Sequence, residues 1–133
     1  MNTPGQNSNA VAELALAMMI FMSRNRFTPG TGTELQGKTL GIHAYGNVGK
    51  LVGRKGKALG MNVIAYDMRQ RDEALQLGVE YVSLDELFAR SDVLGLQMPL
   101  FPFNTGIINR ENIAKMKDGV IIINNSRGQM VVE

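Results

Sequence analysis

From Thr39 onward the chain repeats one alternation: short β-type runs separated by amphipathic stretches. The runs are "TLGIHA" (39–44), "MNVIAYD" (61–67), "VEYV" (79–82), "SDVLGLQM" (91–98) and "GVIIINN" (119–125). Parallel strands need crossover connections, and helices supply them while covering the sheet. The alternation therefore predicts an α/β domain built on a doubly wound parallel sheet, covered on both faces. At 133 residues with 44% hydrophobic side chains, one domain with a sizeable core is expected.

Ahead of the sheet, residues 1–9 are polar, and Ser8 or Asn9 is placed to cap a helix. The run "AVAELALAMMIFM" (10–22) is shorter than the roughly 20 residues of a bilayer span and carries Glu13, so it reads as a buried helix rather than a membrane segment. It is apolar nearly all round, which requires cover on more than one side. The expected organisation is a linking or interface helix over 8–24, through which a homodimer would form, and a βαβ core over 38–133. Fourteen basic and twelve acidic residues leave a scattered net charge of +2, which argues against nucleic acid or a membrane surface as partner. With no cysteine and one histidine, disulfides, a thiolate nucleophile and a His-rich metal site are excluded; no metal is expected, and a reducing cytoplasm fits.

Two neighbouring glycine patterns compete as a phosphate cradle. "GTELQGKT" (32–39) fits the P-loop pattern in every letter, and "AYGNVG" (44–49) fits the dinucleotide-binding pattern G-x-G-x-x-G with Ala44 at the first glycine. A P-loop needs a strand leading in and a helix leading out, because phosphates sit on amides at that helix N-terminus. "RFTPGT" before Gly32 is no strand and "LGIHA" after Thr39 is no helix, so the first match is fortuitous. The second has the right surroundings. A strand ends near His43, the loop turns through Tyr45 and Gly46, and a helix opens with Asn47, Val48 and Gly49. Gly46 would let the backbone approach a pyrophosphate and Gly49 would let the helix pack closely, while the Ala44 methyl must be fitted into the first turn.

In that helix (47–59), Val48, Leu51, Val52, Ala58 and Leu59 are expected on the packed side, Lys50, Arg54 and Lys57 on the other, with Gly60 as the stop. Gly53 and Gly56 weaken it by about 1 kcal/mol each unless close packing compensates. Asp67 ends the next run about 20 residues beyond the loop, where a carboxylate accepts adenosine ribose hydroxyls and repels a 2′-phosphate. On residues alone, an ordinary strand-end turn is the alternative for Asp67, and Arg69 and Arg71 nearby leave NADP open. "SLDE" (83–86) is a capping box, and "KDG" (117–119) a turn. His43 reads as a core or strand-end histidine.

Taken together, "GKTLGIHAYGNVGKLVGRKGKALGMNVIAYD", "SDVLGLQMPLFPFNTGIIN", "MKDGVIIINNSRGQMVVE" and the opening "NTPGQNSNAVAEL" resemble the nucleotide-binding domain of the NAD-dependent D-2-hydroxyacid dehydrogenases, with the phosphoglycerate dehydrogenases nearest. The resemblance covers nearly the whole chain. It implies a Rossmann-type cofactor domain binding NAD through Tyr45, Gly46, Asn47, Val48, Gly49 and Asp67. It further implies that Met98, Pro99 and Thr105 border the cofactor, that Asn124 and Ser126 lie beside the nicotinamide, and that Arg127 binds the substrate's carboxylate and carbonyl oxygen. The family's acid/base histidine and its glutamate lie downstream of the arginine motif. His43 is in the wrong place for that role, and Glu133 stands too close to Arg127 for the other. The substrate domain brackets this one in the family, so the chain is expected to be a cofactor-domain fragment, inactive alone, whose intact parent acts on a small 2-hydroxy acid. An NADH-sensing regulatory module of the same family is the rival reading. An NAD domain of another dehydrogenase class is a third, against which "SRG" speaks.

Overall fold

The computed structural model describes residues 8–30, 32–70, 72–96 and 107–124. Five strands, β1 (Thr39–His43), β2 (Asn62–Tyr66), β3 (Glu80–Tyr81), β4 (Val93–Leu96) and β5 (Ile121–Asn124), lie parallel in the order β3-β2-β1-β4-β5. Each falls inside an expected run. β1 stops at His43 because Ala44 turns to φ +77°, a left-handed conformation that ends the extended backbone. Among the described residues five α-helices, α1 (Ser8–Ser23), α2 (Asn47–Ala58), α3 (Asp72–Gln76), α4 (Leu84–Arg90) and α5 (Arg110–Ile113), accompany the sheet, with a short 3-10 helix at Asn25–Phe27.

Successive strand residues face opposite sides, and the core divides accordingly. On one face Leu40, Ile42, Val63, Ala65, Val93 and Ile123 pack with Ala12, Ala15, Leu16 and Met19 of α1 and Val52 of α2. On the other, Ile64, Leu94 and Leu96 pack with Leu87 and Phe88 of α4, Ile108 and the Ala44 methyl. This is a doubly wound α/β domain. No described helix is long and apolar enough to cross a membrane.

The packed face of α2 departs from expectation. Ala58 and Leu59 are exposed, Leu59 by 40%, while Gly49, Val52, Gly53 and Gly56 are buried. The reason is steric. A Cβ on Gly53 would stand 2.9 Å from the Tyr45 ring, and one on Gly56 2.6 Å from Leu40 Cδ2. Glycine lets the helix lie closer to β1 than any side chain permits, offsetting the propensity cost of about 1 kcal/mol each. The helix then ends as expected: Met61 N–H donates to the Gly56 carbonyl (3.0 Å), and Gly60 takes φ +83°.

The rejected P-loop is a turn into a strand. Lys38 N–H donates to the Leu35 carbonyl (3.0 Å), Gly37 has φ +82°, and Thr39 opens β1 at the sheet end opposite the second glycine loop.

Candidate functional site

The strand order reverses between β1 and β4, whose following connections cover opposite faces. In such sheets the crevice at the carboxyl ends of the strands is where ligands bind. Here that edge collects the ends of β1 at His43, β2 at Tyr66, β4 at Leu96 and β5 at Asn124, which stands opposite Leu96.

The loop leaving β1 is tied to the end of β2 by two backbone donors. Ala44 N–H donates to the Tyr66 carbonyl (2.8 Å), and Tyr45 N–H donates to Asp67 Oδ2 (2.7 Å). Asp67 Oδ1 accepts from Arg69 N–H (3.2 Å). Asp67 thus fixes the loop as well as facing the edge, a second role the sequence reading missed. Its signal was available, since a carboxylate ending a strand beside a neighbouring strand's turn meets that turn's free N–H groups. The Tyr45 phenol is fully buried against Gly53 and meets Tyr81 edge-on at 6.2 Å; burial pushes its pKa up. Tyr45 therefore reaches the loop by its backbone, its ring belonging to the core.

The two loop glycines answer to different demands. A Cβ on Gly49 would lie 2.5 Å from the Ala44 carbonyl oxygen, so the fold itself requires glycine there. Around Gly46, at φ −91°, an added Cβ would meet nothing within 4 Å. Nothing inside the protein demands glycine at 46. What it leaves free is room outside, against the loop backbone. Asn47, exposed, and Val48, partly buried, begin α2, whose N-terminus has no side-chain cap. By contrast Ser83 caps α4 through Glu86 N–H (3.1 Å), and Asn109 caps α5 through Asn112 N–H (2.9 Å). The free amides at the start of α2 and the dipole behind them suit an anionic group.

His43 is 1% exposed, and its Nδ1 has no partner among the described residues. Burial holds its pKa below the ordinary value, against an opposing pull from Asp67 and its own backbone. Met98, Pro99, Thr105, Ser126 and Arg127 lie outside the described residues, so of the expected site residues the structure gathers Tyr45 to Gly49, Asp67 and Asn124. A groove of about 740 Å³ lies elsewhere, between α1 and β5, lined by Met18, Phe21, Met22 and Ile121 to Ile123. No cluster of metal ligands is found among the described residues.

Open space over Gly46 at an uncapped helix start, with a carboxylate at the end of the adjacent strand, is the arrangement of a dinucleotide-binding domain of the NAD type. Residues 12–133 match the model of the D-isomer-specific 2-hydroxyacid dehydrogenase NAD-binding domain. The chain belongs to that family, and its cofactor is NAD. It is 54% identical over 100 residues to a hydroxypyruvate reductase of Blautia hydrogenotrophica, covering 75% of this chain and 31% of that protein. It is 38% identical to D-3-phosphoglycerate dehydrogenase of Mycobacterium bovis, covering 100% of this chain and 28% of the relative. Among solved structures, NAD⁺-bound 3-phosphoglycerate dehydrogenase of Entamoeba histolytica superposes with a TM-score of 0.88 at 40% identity, covering 98% of this chain and 42% of the other. The chain spans less than half the length of these relatives.

Proposed function

We propose that this chain is the NAD(H)-binding part of an oxidoreductase that moves hydride between nicotinamide and the hydroxyl- or oxo-bearing carbon of a small D-2-hydroxy or 2-oxo acid. The hydroxypyruvate reductase and D-3-phosphoglycerate dehydrogenase among its relatives support that choice of substrate class. The observation that carries the reading is the pairing of Gly46, where only an outside group needs the space, with Asp67, held in place by Tyr45 N–H at 2.7 Å. In this reading the amides of Gly46 to Gly49 hold the pyrophosphate, and Asp67 accepts the ribose hydroxyls. Asn124 stands at the nicotinamide end, with Met98, Pro99, Thr105 and Ser126 bordering the cofactor. The bound cofactor supplies the hydride acceptor or donor. Arg127 holds the substrate's carboxylate and polarises its carbonyl, a task for a planar, bidentate cation.

Pairing of two copies through α1 belongs to the same proposal. Its outer face exposes Leu14, Ile20, Phe21 and Met22, more apolar surface than one helix normally leaves in water. A cytoplasmic setting goes with it, on the cysteine-free composition. Calorimetric titration tests the cofactor site. NAD(H) is expected to bind at least about tenfold more tightly than NADP(H), since a 2′-phosphate would face the Asp67 carboxylate. Equal affinities would remove Asp67 from its role. Turnover by the parent protein on a panel of 2-hydroxy acids tests the chemistry.

A further inference from the structure

The cofactor loop uses the backbone of Tyr45 and leaves its side chain without a task. The residue is 0% exposed, and its hydroxyl has no partner among the described residues, although buried hydroxyls are ordinarily hydrogen-bonded. With no bond to hold it, the ring is seated by shape. Its seat is a notch in α2: a Cβ on Gly53 would stand 2.9 Å from Cε2 of the ring and 3.0 Å from its Oη. Tyr81 of β3 meets the ring edge-on, with centroids 6.2 Å apart and planes at 75°. Any side chain at 53 would have to displace the ring, so glycine there and tyrosine at 45 form a matched pair.

The backbone of the same residue reaches the cofactor edge. Tyr45 N–H donates to Asp67 Oδ2 at 2.7 Å. The other carboxylate oxygen accepts from Arg69 N–H at 3.2 Å, but that donor is two residues along the same turn and travels with Asp67. Among the described residues, the bond that fixes the carboxylate against the glycine loop is therefore the one from Tyr45. A ring close-packed in the core has little freedom to move, so its seat sets where its own N–H points.

We propose that Tyr45 is a positioning residue for cofactor selection: its ring, seated in the notch at Gly53, fixes the N–H that aims the Asp67 carboxylate at the adenosine ribose, so packing under α2 sets the preference for NAD over NADP. The proposal rests on the assignment of Asp67 to the ribose. Displacing the ring lets the carboxylate turn, which weakens both its hold on the ribose hydroxyls and its repulsion of a 2′-phosphate. Both changes lower the ratio of NADP⁺ to NAD⁺ dissociation constants. General loosening of the loop acts on the pyrophosphate that the two cofactors share, and leaves the ratio unchanged.

Calorimetric titration of the chain with both cofactors reads that ratio. Gly53→Ala, which puts a methyl into the notch, is expected to lower it about fivefold or more, and Tyr45→Leu, which leaves the notch part empty, by a similar factor. Combining the two refits the pair, so the double variant should lie above either single one. In an Asp67→Asn background Gly53→Ala should leave the ratio as it finds it, since no charge remains to be aimed.

A wild-type ratio in both single variants, with only Tm lowered, would make the pair a matter of stability and overturn the proposal. An equal loss from Gly53→Ala with Asp67→Asn present would overturn it too. Should Gly53→Ala fail to fold, Tyr45→Leu introduces no overlap and carries the test against the same Asp67→Asn background. If Asp67→Asn alone leaves the ratio at its wild-type value, the ribose assignment itself fails, an outcome distinct from a ratio that responds to Asp67 and ignores the notch.

Discussion

Gly46 and Gly49 stand three residues apart in one motif, yet the structure assigns them to different masters, and replacing each by alanine separates the two. At Gly49 the new Cβ would sit 2.5 Å from the Ala44 carbonyl oxygen and 3.1 Å from Ile42 Cγ2. The first distance is about 1 Å inside a comfortable contact of roughly 3.5 Å, and its partner is backbone that cannot rotate away. Overpacking of this kind costs about 1–3 kcal/mol, and the gain in helix propensity returns at most about 1. Gly49→Ala is therefore expected to destabilise the fold by about 2 kcal/mol, lowering Tm by roughly 8 °C for a domain of this size. At Gly46 nothing lies within 4 Å of the new methyl and φ is −91°. Alanine is a poorer N-cap than glycine, so Gly46→Ala should cost only about 0.5 kcal/mol of stability. Its NAD⁺ affinity should nevertheless fall at least about tenfold, because the methyl occupies the approach to the loop amides. Denaturant unfolding without ligand and calorimetric titration with NAD⁺ measure the two quantities. If Gly46→Ala loses as much stability as Gly49→Ala, or binds NAD⁺ as wild type does, the division of labour is wrong.

Asp67→Asn keeps an acceptor and removes the charge, so the preference for NAD over NADP should shrink by about tenfold, read by titration with both cofactors. Stability should fall as well, since the charge-assisted bond from Tyr45 N–H becomes a neutral one. Lys38→Ala should leave NAD⁺ affinity and stability within about 0.5 kcal/mol of wild type, with no magnesium-dependent ATP binding in either protein, because the "GKT" run enters β1 at the far end of the sheet. Partial burial pushes the Asp92 pKa up, but the Thr39 N–H (2.8 Å), Lys117 (3.1 Å) and Lys38 outweigh it and hold the carboxyl below its ordinary range. A depressed carboxyl contributes stability above its unfolded pKa of about 3.9 and loses it as pH falls through the folded value. Denaturation curves from about pH 6 to about pH 3 should thus be flatter for Asp92→Asn than for wild type, and equal slopes would remove Asp92 from the acid response.

The sheet and the loop were legible because they are written in local signals. Short β-type runs, a turn glycine at 60 and a capping serine at 83 each act within a few residues, and each is found where the chain places it. The packed face of α2 was misread for a physical reason. Hydrophobicity marks the side chains that seek cover, whereas Gly53 and Gly56 work by having none, and their role exists only once β1 and Tyr45 lie beneath them. The second function of Asp67 was missed because its signal is not local to the carboxylate. It depends on Tyr45 N–H, 22 residues earlier, and on β1 and β2 being neighbours in the sheet.

Ala44 shows how the motif survives its missing first glycine. The turn still takes the left-handed conformation, at φ +77°, which costs a non-glycine residue about 1–2 kcal/mol. The methyl that creates this strain is also what offsets it, being 7% exposed and packed with Ile64, Leu87, Phe88 and Leu96, a burial that contributes about 0.8 kcal/mol. Ala44 N–H closes the turn onto the Tyr66 carbonyl at 2.8 Å, so the loop is anchored at its first residue by the backbone and at its second by Asp67. With both amides committed inward, the chain reaches Gly46 in a fixed direction, and the free N–H groups of α2 are presented outward without a side chain in front of them. The glycine that the pattern expects at 44 concerns the tightness of a turn, and neighbouring packing can substitute for it. The glycine at 46 concerns space for the cofactor, and nothing in the fold can substitute for that.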